Sequence, residues 1–310
     1  MKLCRISVVV CTHNPDTSRL TRTLHALLRQ SIDPENWELL VVDNASAQTV
    51  DVPVAAEARS KVRLVREPRL GLTFARCAGV SHAQGEFIVL VEDDNVLAPN
   101  YLETVLLAFN RLPRVGAIGG KSLPEFERTP EPWLEPFFPL LGLRDLGSKE
   151  QFCLPPTTQS PLRVYPTCAP IGAGMALRRE ALESWLIQAK HSLSDRSGTT
   201  LDRGADNGIV LHVLKSGWAV GYVPELVLTH LIPAKRLEPD YLGRLNRDTQ
   251  KSGMQVLTHH AINPWPPISR WSLRGRQLKA WFAHRAWAGP AARIRWRGAC
   301  GQLEGRATAS

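Results

Sequence analysis

The chain has 310 residues, 44% of them hydrophobic and 22% charged, and this composition excludes a disordered chain and a repeat solenoid. Its formal net charge of +9 is unevenly spread, because residues 1–248 carry 28 basic and 28 acidic side chains and residues 249–303 carry no acid. The body is therefore predicted to be a neutral globular domain with a sizeable core, followed by a basic segment.

The six cysteines are scattered without a CxxC pair, which argues against a zinc knuckle or a disulfide framework and favours a reducing cytoplasm. They are Cys4, Cys11, Cys77, Cys153, Cys168 and Cys300. The apolar run near the N-terminus ends at His13 and Asn14 and is too short for a signal segment or a membrane span. We expect the protein to be cytoplasmic, either free or bound peripherally to the inner face of the membrane.

Three short apolar runs, at residues 6–10, 38–43 and 87–91, predict buried parallel strands. After a candidate helix cap at Thr17 or Ser18, leucines recur at helical spacing at Leu20, Leu24, Leu27 and Leu28. This alternation predicts an α/β fold with a doubly wound, mostly parallel sheet flanked by helices and ligands at the carboxyl ends of the strands. A dinucleotide-binding domain is disfavoured, because no glycine-rich turn follows the first strand.

The third strand runs directly into three adjacent carboxylates, Glu92, Asp93 and Asp94. The negative charges of these carboxylates repel one another at the end of an apolar strand, and a hard divalent ion relieves the repulsion. In an extended segment, Glu92 and Asp94 share a face and can offer two oxygen ligands to Mg²⁺ or Mn²⁺. The alternative is a solvated acidic turn that caps the next helix.

Three runs, SVVVCTHN, LLVVDNAS and EPRLGLTFARCAGVSHAQGEFIVLVEDDN, resemble glycosyltransferase family 2 in their order and spacing. The resemblance covers most of residues 4–247. It implies the GT-A fold and a metal-dependent, inverting transfer of a sugar from a nucleotide-sugar donor to an acceptor hydroxyl.

The resemblance also implies nucleotide-binding residues. Thr12, Asn14 and Asp43 correspond to positions that hold the nucleotide base, with Asn44 close by; for Asp43, a plain helix cap is the alternative. Arg76 is expected to neutralise phosphate or to pair with the acidic cluster, and a structural ion pair is an equal alternative.

In the same resemblance, Glu92, Asp93 and Asp94 form the DxD-like motif, with Asp94 as the direct metal ligand and Asp93 beside the nucleotide-sugar. Glu92 departs from the usual aspartate but still supplies carboxylate oxygen. His230 is expected to reach the metal or the diphosphate, and Arg236 to bind phosphate.

The general base implied by the resemblance is Asp206. Residues 170–182 resemble the acceptor-side strand and helix that precede it. Two acids of the usual pattern are replaced, by Ala205 and Gly208, which weakens the inference of full activity. Asp202 is the reserve candidate for the base, and for both aspartates the alternative is a loop residue that caps the next helix.

Two further segments are interpreted by the same resemblance. Residues 217–224 and 227–230 resemble the last strand pair of the family. Residues 121–167 are rich in proline and too irregular for long elements, so they predict an acceptor-side insertion or lid. Aromatic residues there, such as Trp133 and Phe137, can stack on sugars or a lipid carrier or simply pack against the body.

The expected domains are a GT-A domain over residues 1–252, with a nucleotide-binding half at about 1–120 and an acceptor half at about 121–252, and an extension over 253–310. In the extension, an apolar stripe on a basic helix predicts binding to an anionic membrane surface. The stripe consists of Trp271, Leu278, Trp281 and Phe282. Nucleic-acid binding ranks lower and is not expected; packing onto the body or oligomerisation remains the third alternative.

The sequence therefore predicts a glycosyltransferase that uses Mn²⁺ or Mg²⁺ and a nucleotide-sugar, with UDP-sugars as the first candidates. The expected acceptor is a saccharide or a lipid-linked molecule in cell-surface polysaccharide or glycolipid synthesis. The competing hypothesis is a catalytically impaired nucleotide-sugar-binding or scaffold protein at a membrane, motivated by Ala205 and Gly208.

Overall fold

The computed structural model describes residues 4–52, 54, 59, 61–194 and 205–308. Contacts divide the chain into two compact units. The first unit is Met1–Glu125, Arg144–Pro156 and Pro166–Leu231, and the second is Phe126–Leu143, Thr157–Tyr165 and Ile232–Ser310. The boundary expected after residue 252 falls inside a helix of the second unit, Pro239–His259, and the division there stays a prediction.

The three predicted parallel strands, together with the unpredicted strand β3, form one half of the central sheet, in the order β3-β2-β1-β4. They are β1 (Ile6–Thr12), β2 (Trp37–Asn44), β3 (Val62–Glu67) and β4 (Phe87–Glu92). In their register Thr12 lies opposite Asp43, and Cys11 lies opposite Glu92. The carboxyl ends of β1, β2 and β4 are therefore level, so their terminal side chains are neighbours at one edge.

Five more of the described strands extend the sheet. They are β5 (Asn95–Leu97), β6 (Val115–Phe126), β7 (Gln151–Cys153), β8 (Ala176–Arg178) and β9 (Ala219–Ile232). The full order is β3-β2-β1-β4-β8-β6-β9-β5, with β7 against β9, and the β4–β8, β6–β8, β5–β9 and β7–β9 pairs are antiparallel. The predicted strand pair at 217–230 is wrong in detail: β9 is continuous, because Pro224 fits extended backbone.

Helices of the first unit flank this sheet, which confirms the predicted α/β fold. They are α1 (Thr17–Leu28), α2 (Leu72–His82), α3 (Tyr101–Arg111), α4 (Arg179–Ser194) and α5 (Ala205–Lys215). The cap of α1 is Asp16, not Thr17 or Ser18, because its extended backbone lets its carboxylate accept the Arg19 N–H at 3.1 Å.

The core of the first unit forms where the leucines of α1 meet the valines of the parallel strands. The buried cluster includes Val8, Val10, Leu20, Leu24, Leu27, Val41 and Val89. Each such side chain contributes about 1.5–3 kcal/mol when fully removed from water. This packing fixes the strand ends from which the polar side chains of the site project.

The second unit is mainly helical, as predicted for the tail. It contains α6 (Pro239–His259), α7 (Leu273–Ala283), α8 (Pro290–Arg306), β10 (Ile268–Ser269), β11 (Ala307–Thr308) and the 3-10 helices Pro132–Leu141, Ala234–Leu237 and Arg270–Ser272. Helices α6 and α8 pack closely, since a Cβ at Gly301 would come closer than 3.0 Å to the Arg247 backbone.

The proline-rich segment contributes apolar side chains to this second unit. Leu134 and Phe137 are buried in one cluster with Leu242 and Ile294, and Trp133 lies edge-on to Phe137 with ring centroids 6.3 Å apart. For Phe137, the structure thus shows packing within the protein. Across the described part of the chain, every helix is too short or too polar to cross a bilayer.

Candidate active site

The acidic cluster lies where β4 ends and the chain turns into β5. The extended conformation predicted for these residues is wrong: the strand ends at Glu92, and Asp93 and Asp94 form a turn. Asn95 shapes that turn, because its side chain accepts the Glu92 N–H at 3.2 Å and donates to the Asp94 carboxylate at 3.1 Å. The turn, rather than strand alternation, brings Glu92 and Asp94 together.

His230 reaches this turn from the other end of the sequence. In the β5–β9 ladder it lies opposite Asn95, and the Leu231 N–H donates to the Asp94 carbonyl at 2.9 Å. His230 Nε2 is 3.2 Å from Asp94 Oδ1, and both side chains are buried. One ligand atom from each of Glu92, Asp94 and His230 lies within 4.8 Å of the others. Two carboxylates and an imidazole therefore converge on one small volume.

The electrostatics of this cluster fit a divalent cation. Burial raises the pKa of Glu92, and the nearby charges of Asp94 and Asp206 raise it further, against the opposing effects of His230 and Arg76. A cation among the carboxylates would offset the crowding of negative charge. Carboxylate oxygens and an imidazole nitrogen are ordinary ligands of Mn²⁺. The donor set present therefore suits a divalent metal ion.

A buried ion pair lies beside the cluster. Arg76, on α2, is only 2% exposed, and its guanidinium donates to the carboxylate of Asp206 in the first turn of α5. Burial opposes a charged guanidinium, but Asp206, Glu92 and Cys11 together outweigh this effect and raise the pKa of Arg76. The Gly172 N–H adds a hydrogen bond of 3.0 Å to the same carboxylate. Two donors thus fix Asp206, which stays partly exposed.

Gly172 leaves no room for a side chain beside this pair, so Gly172→Ala should reduce activity. An added Cβ would lie closer than 3.0 Å to both Asp206 carboxylate oxygens and to Arg76 Nη2. We expect the alanine to displace the carboxylate and lower sugar transfer by about tenfold or more. Steady-state kinetics with any accepted donor would measure the loss.

Gly208→Ala is the matched control for Gly172→Ala. An added Cβ at Gly208, in α5, meets nothing within 4 Å. Helix propensity predicts a gain in stability of about 0.5–1 kcal/mol without loss of activity. Equal kinetics for the two alanine variants would show that the position of the Asp206 carboxylate is unimportant.

The residues expected to bind the nucleotide base lie at the ends of β1 and β2. Thr12 donates its hydroxyl hydrogen to the Asp93 carboxylate, which links β1 to the acidic turn. Asn14, with φ of +47°, accepts the Ala47 N–H at 2.8 Å and donates its own N–H to Ser46 Oγ at 2.9 Å. The loops after β1 and β2 are therefore tied together.

Asn44 connects the end of β2 to the segment that begins α2. Its side-chain amide donates to the Arg69 carbonyl at 2.7 Å and to the Glu67 carbonyl at 3.3 Å. Its side-chain oxygen accepts the Gly71 N–H at 2.8 Å. These contacts give Asn44 a clear structural role, and a direct contact with nucleotide stays a prediction.

Asp43 is fully buried at the end of β2 and accepts several hydrogen bonds. The donors are the N–H groups of Ser46 at 3.1 Å and Val50 at 3.4 Å, and the guanidinium of Arg66. Burial would raise the pKa of Asp43, but the hydrogen bonds from Ser46, Arg66 and the backbone outweigh it and hold the pKa below its ordinary value. The carboxylate is therefore charged at neutral pH.

Asp43→Asn should destabilise the fold in a pH-dependent way. Because the folded-state pKa is lowered, the charged form contributes stability above the unfolded pKa, and that stability is lost as pH falls through the folded pKa. We expect a loss of about 1–3 kcal/mol at neutral pH that shrinks in acid, measured by urea unfolding. The control is Asp51→Asn, because the Asp51 side chain is exposed. Equal stability of Asp43→Asn and wild type at neutral pH would contradict the claim that the charged Asp43 carboxylate stabilises the fold.

Two predicted site residues stay predictions. Arg236 belongs to the second unit, on the 3-10 helix Ala234–Leu237. Asp202 lies outside the described residues. Two groups that contact the predicted aspartates were not predicted from the sequence: the Arg66 side chain and the backbone N–H of Gly172. Arg66 is a charged residue in a short strand, which the sequence shows. Its pairing with Asp43 depends on the register of β2 and β3, which the sequence does not show.

A sheet with four neighbouring parallel strands, β3-β2-β1-β4, and with carboxylates and an imidazole clustered at its strand ends has the architecture of a GT-A-type glycosyltransferase fold. The sequence profile of glycosyl transferase family 2 matches residues 7–186, more than half of the chain. The chain therefore belongs to glycosyl transferase family 2, as its sequence motifs predicted.

The chain is also similar to a curated glycosyltransferase, and it shares its fold with solved structures. The chain is 25% identical over 150 residues to a glucosyl-dolichyl phosphate glucuronosyltransferase of Haloferax volcanii, a match that covers 47% of each chain. It therefore spans about half the length of that relative. A mannosyltransferase of Pyrobaculum calidifontis, solved with GDP-Man and Mn²⁺, has a TM-score of 0.55 at 20% identity and covers 95% of this chain and 79% of its own. S. aureus TarS 1-349 with UDP-GlcNAc has a TM-score of 0.51 at 15% identity, with coverages of 83% and 71%. These two structural likenesses concern the fold.

Proposed function

We propose that this protein is a metal-dependent, inverting glycosyltransferase that moves a sugar from a nucleotide-sugar donor to an acceptor hydroxyl. The observation that carries the proposal is the convergence of Glu92, Asp94 and His230 on one volume, beside an aspartate held by Arg76. Membership of glycosyl transferase family 2 supports the reaction class.

In the proposed reaction, Asp206 is the general base. Its carboxylate takes the proton of the acceptor hydroxyl as that oxygen attacks the anomeric carbon from the face opposite the nucleotide. The new carbon–oxygen bond forms while the bond to the phosphate oxygen breaks, and the nucleoside diphosphate leaves with the electron pair. Arg76 and the Gly172 N–H hold the carboxylate in place for this step.

We assign the donor to the edge formed by β1, β2 and β4. Thr12, Asn14 and Asp43 would hold the base, with Asn44 behind them, and Asp93 would lie beside the sugar diphosphate. Glu92, Asp94 and His230 would hold Mn²⁺ or Mg²⁺, which when bound supplies Lewis-acid stabilisation of the diphosphate leaving group. We further propose that Arg236 contributes a charged hydrogen bond to the diphosphate.

For the substrates we propose a UDP-sugar as donor and a saccharide or lipid-linked molecule as acceptor. The named ligands of the two solved structures, UDP-GlcNAc and GDP-Man, support the nucleotide-sugar class. The name of the Haloferax volcanii relative, which refers to a dolichyl phosphate sugar, supports a lipid-linked acceptor. We accordingly propose a role in the synthesis of cell-surface polysaccharide or glycolipid.

A second candidate function is nucleotide-sugar binding without turnover. The observation that favours it is that Ala205 and Gly208 stand where the family pattern has acids on either side of Asp206. The two functions differ in donor turnover: the catalyst releases free nucleoside diphosphate when supplied with an acceptor or with water, and the binding protein does not.

The donor class can be determined by thermal unfolding with UDP, GDP, TDP and CMP donors, each with and without Mn²⁺. We expect one nucleotide class to stabilise the protein in the presence of metal, by about 2.7 kcal/mol at a hundred times its Kd. Asp94→Ala should lose the metal-dependent part. Stabilisation that is equal with and without metal would refute the proposed metal site, and the absence of any nucleotide effect would refute the proposed donor class.

A further inference from the structure

The second unit exposes a group of large apolar side chains on α7 and the segments around it. The exposed fractions are 90% for Trp271, 60% for Leu278, 61% for Phe282 and 53% for Trp287. Leu278 and Phe282 are four residues apart and lie on one face of α7, and Trp271 lies just before this helix, on the 3-10 helix Arg270–Ser272. We call these four side chains the apolar patch. Its exposure is unusual, because tryptophan is highly buried on average.

The packing of α7 on α8 explains which aromatic residues are exposed. The predicted position of Trp281 on the apolar stripe is wrong: its ring packs edge-on against Trp296, with centroids 4.8 Å apart. Trp296 Nε1 donates to the Gln277 carbonyl at 3.2 Å, and the Gln277 amide donates to Glu304 at 2.9 Å. Helix α7 is therefore anchored through its other face.

Positive charge surrounds the apolar patch. Five basic residues near it are exposed: Arg270, Arg274, Arg276, Lys279 and Arg285. The sequence has no acidic residue from 249 to 303, and Glu304, which contacts Gln277 of α7, already pairs with Arg247. A partner that binds this surface must therefore carry negative charge and also bury apolar side chains.

We call the five exposed basic residues the basic rim. We propose that the apolar patch and the basic rim form a docking surface for an anionic lipid bilayer. The aromatic and leucine side chains enter the boundary between headgroups and acyl chains, and the cations meet the anionic headgroups. Tryptophan and arginine both suit that boundary, since each has an apolar part and a polar end. The surface and its test are independent of the proposed sugar transfer.

Two other occupants fit these observations less well. Nucleic-acid bases stack on open aromatic faces, whereas Leu278 has none, and Phe282 and Trp287 lie edge to face against each other with centroids 5.8 Å apart. A second copy of the chain would bring the basic rims close together without an acid between them, and such like-charge contact is unfavourable.

The test is binding of the full chain to vesicles, measured by co-sedimentation and tryptophan fluorescence. Phosphatidylcholine vesicles are compared with vesicles that also contain phosphatidylglycerol. We expect binding to the anionic vesicles that weakens with salt. Trp271→Ser combined with Phe282→Ser should weaken it by about tenfold or more, and Arg274→Gln with Lys279→Gln by about fivefold for each lost cation.

The control is Leu107→Ser, which removes an equally exposed apolar side chain from α3 of the first unit and should leave vesicle binding unchanged. Circular dichroism establishes that each variant is folded. Three results would overturn the proposal: equal affinity for neutral and anionic vesicles, unchanged binding of the Trp271/Phe282 variant, or a dimer that this variant dissociates while vesicles are not bound. Tighter binding of an oligonucleotide through the same residues would overturn it as well.

Discussion

Asp206→Asn is expected to lower the kcat of sugar transfer by about 10²–10⁴-fold, the usual contribution of a general base. Asparagine has nearly the same shape, and its carbonyl oxygen can still accept hydrogen bonds from Arg76 and from the Gly172 N–H. It cannot take a proton from the acceptor hydroxyl. The Kd for the donor, measured by calorimetry with Mn²⁺, should therefore change little while turnover is lost.

The Arg76–Asp206 pair requires a separate control for folding. Removing one partner of a buried ion pair costs about 3–5 kcal/mol, because the other charge stays buried, and Arg76 is almost wholly buried. Thermal unfolding must show that Asp206→Asn is folded at the assay temperature. Asp145→Asn, which removes an exposed carboxylate paired with Lys121 at 3.1 Å, should retain activity. A folded Asp206→Asn with wild-type kcat would contradict the assignment of the base.

Asp94→Asn is expected to remove metal activation and to lower kcat/KM by about 10²–10³-fold. Asp94 is buried 3.2 Å from His230 and shares the same small volume with Glu92, so the substitution removes one of the two carboxylates of this group. Metal ions contribute several kcal/mol of charge stabilisation, and each 1.36 kcal/mol is about a factor of ten in rate. Rates measured across a Mn²⁺ titration would quantify the loss.

Glu92→Asp is the informative companion to Asp94→Asn. It restores the aspartate that is usual at this position and keeps a carboxylate oxygen, so we expect activity to persist with a changed Mn²⁺ requirement. If Asp94→Asn showed the same Mn²⁺ activation curve as wild type, Asp94 would not be a metal ligand. Unchanged Mn²⁺ activation in both variants would point to a cation site elsewhere.

The sequence was most informative where function depends on adjacent residues. Glu92, Asp93 and Asp94 follow a strand directly, so their place at the carboxyl edge followed from strand prediction alone. The same holds for Thr12 and Asp43, whose strands are short apolar runs. The fold class was also predictable, because the alternation of strands and helices in the first 100 residues is regular.

Contacts between distant segments were much harder to predict. Arg76 and Asp206 are 130 positions apart, and their pairing depends on how α2 and α5 pack beside the sheet. The side of α7 that Trp281 occupies depends on Trp296 of α8, which helical spacing within α7 cannot reveal. His230 was placed near the metal site through the family resemblance. The β5–β9 register supplies the physical reason for that position.

The central claim is that Glu92, Asp94 and His230 hold a divalent cation together with the donor diphosphate. Mn²⁺ binding to the full chain, followed by electron paramagnetic resonance with and without UDP, tests it most directly. We predict that wild-type protein binds Mn²⁺ more tightly when UDP is present, that Asp94→Asn loses this binding and that Asp145→Asn keeps it. Mn²⁺ binding that neither UDP nor Asp94→Asn alters would contradict the claim.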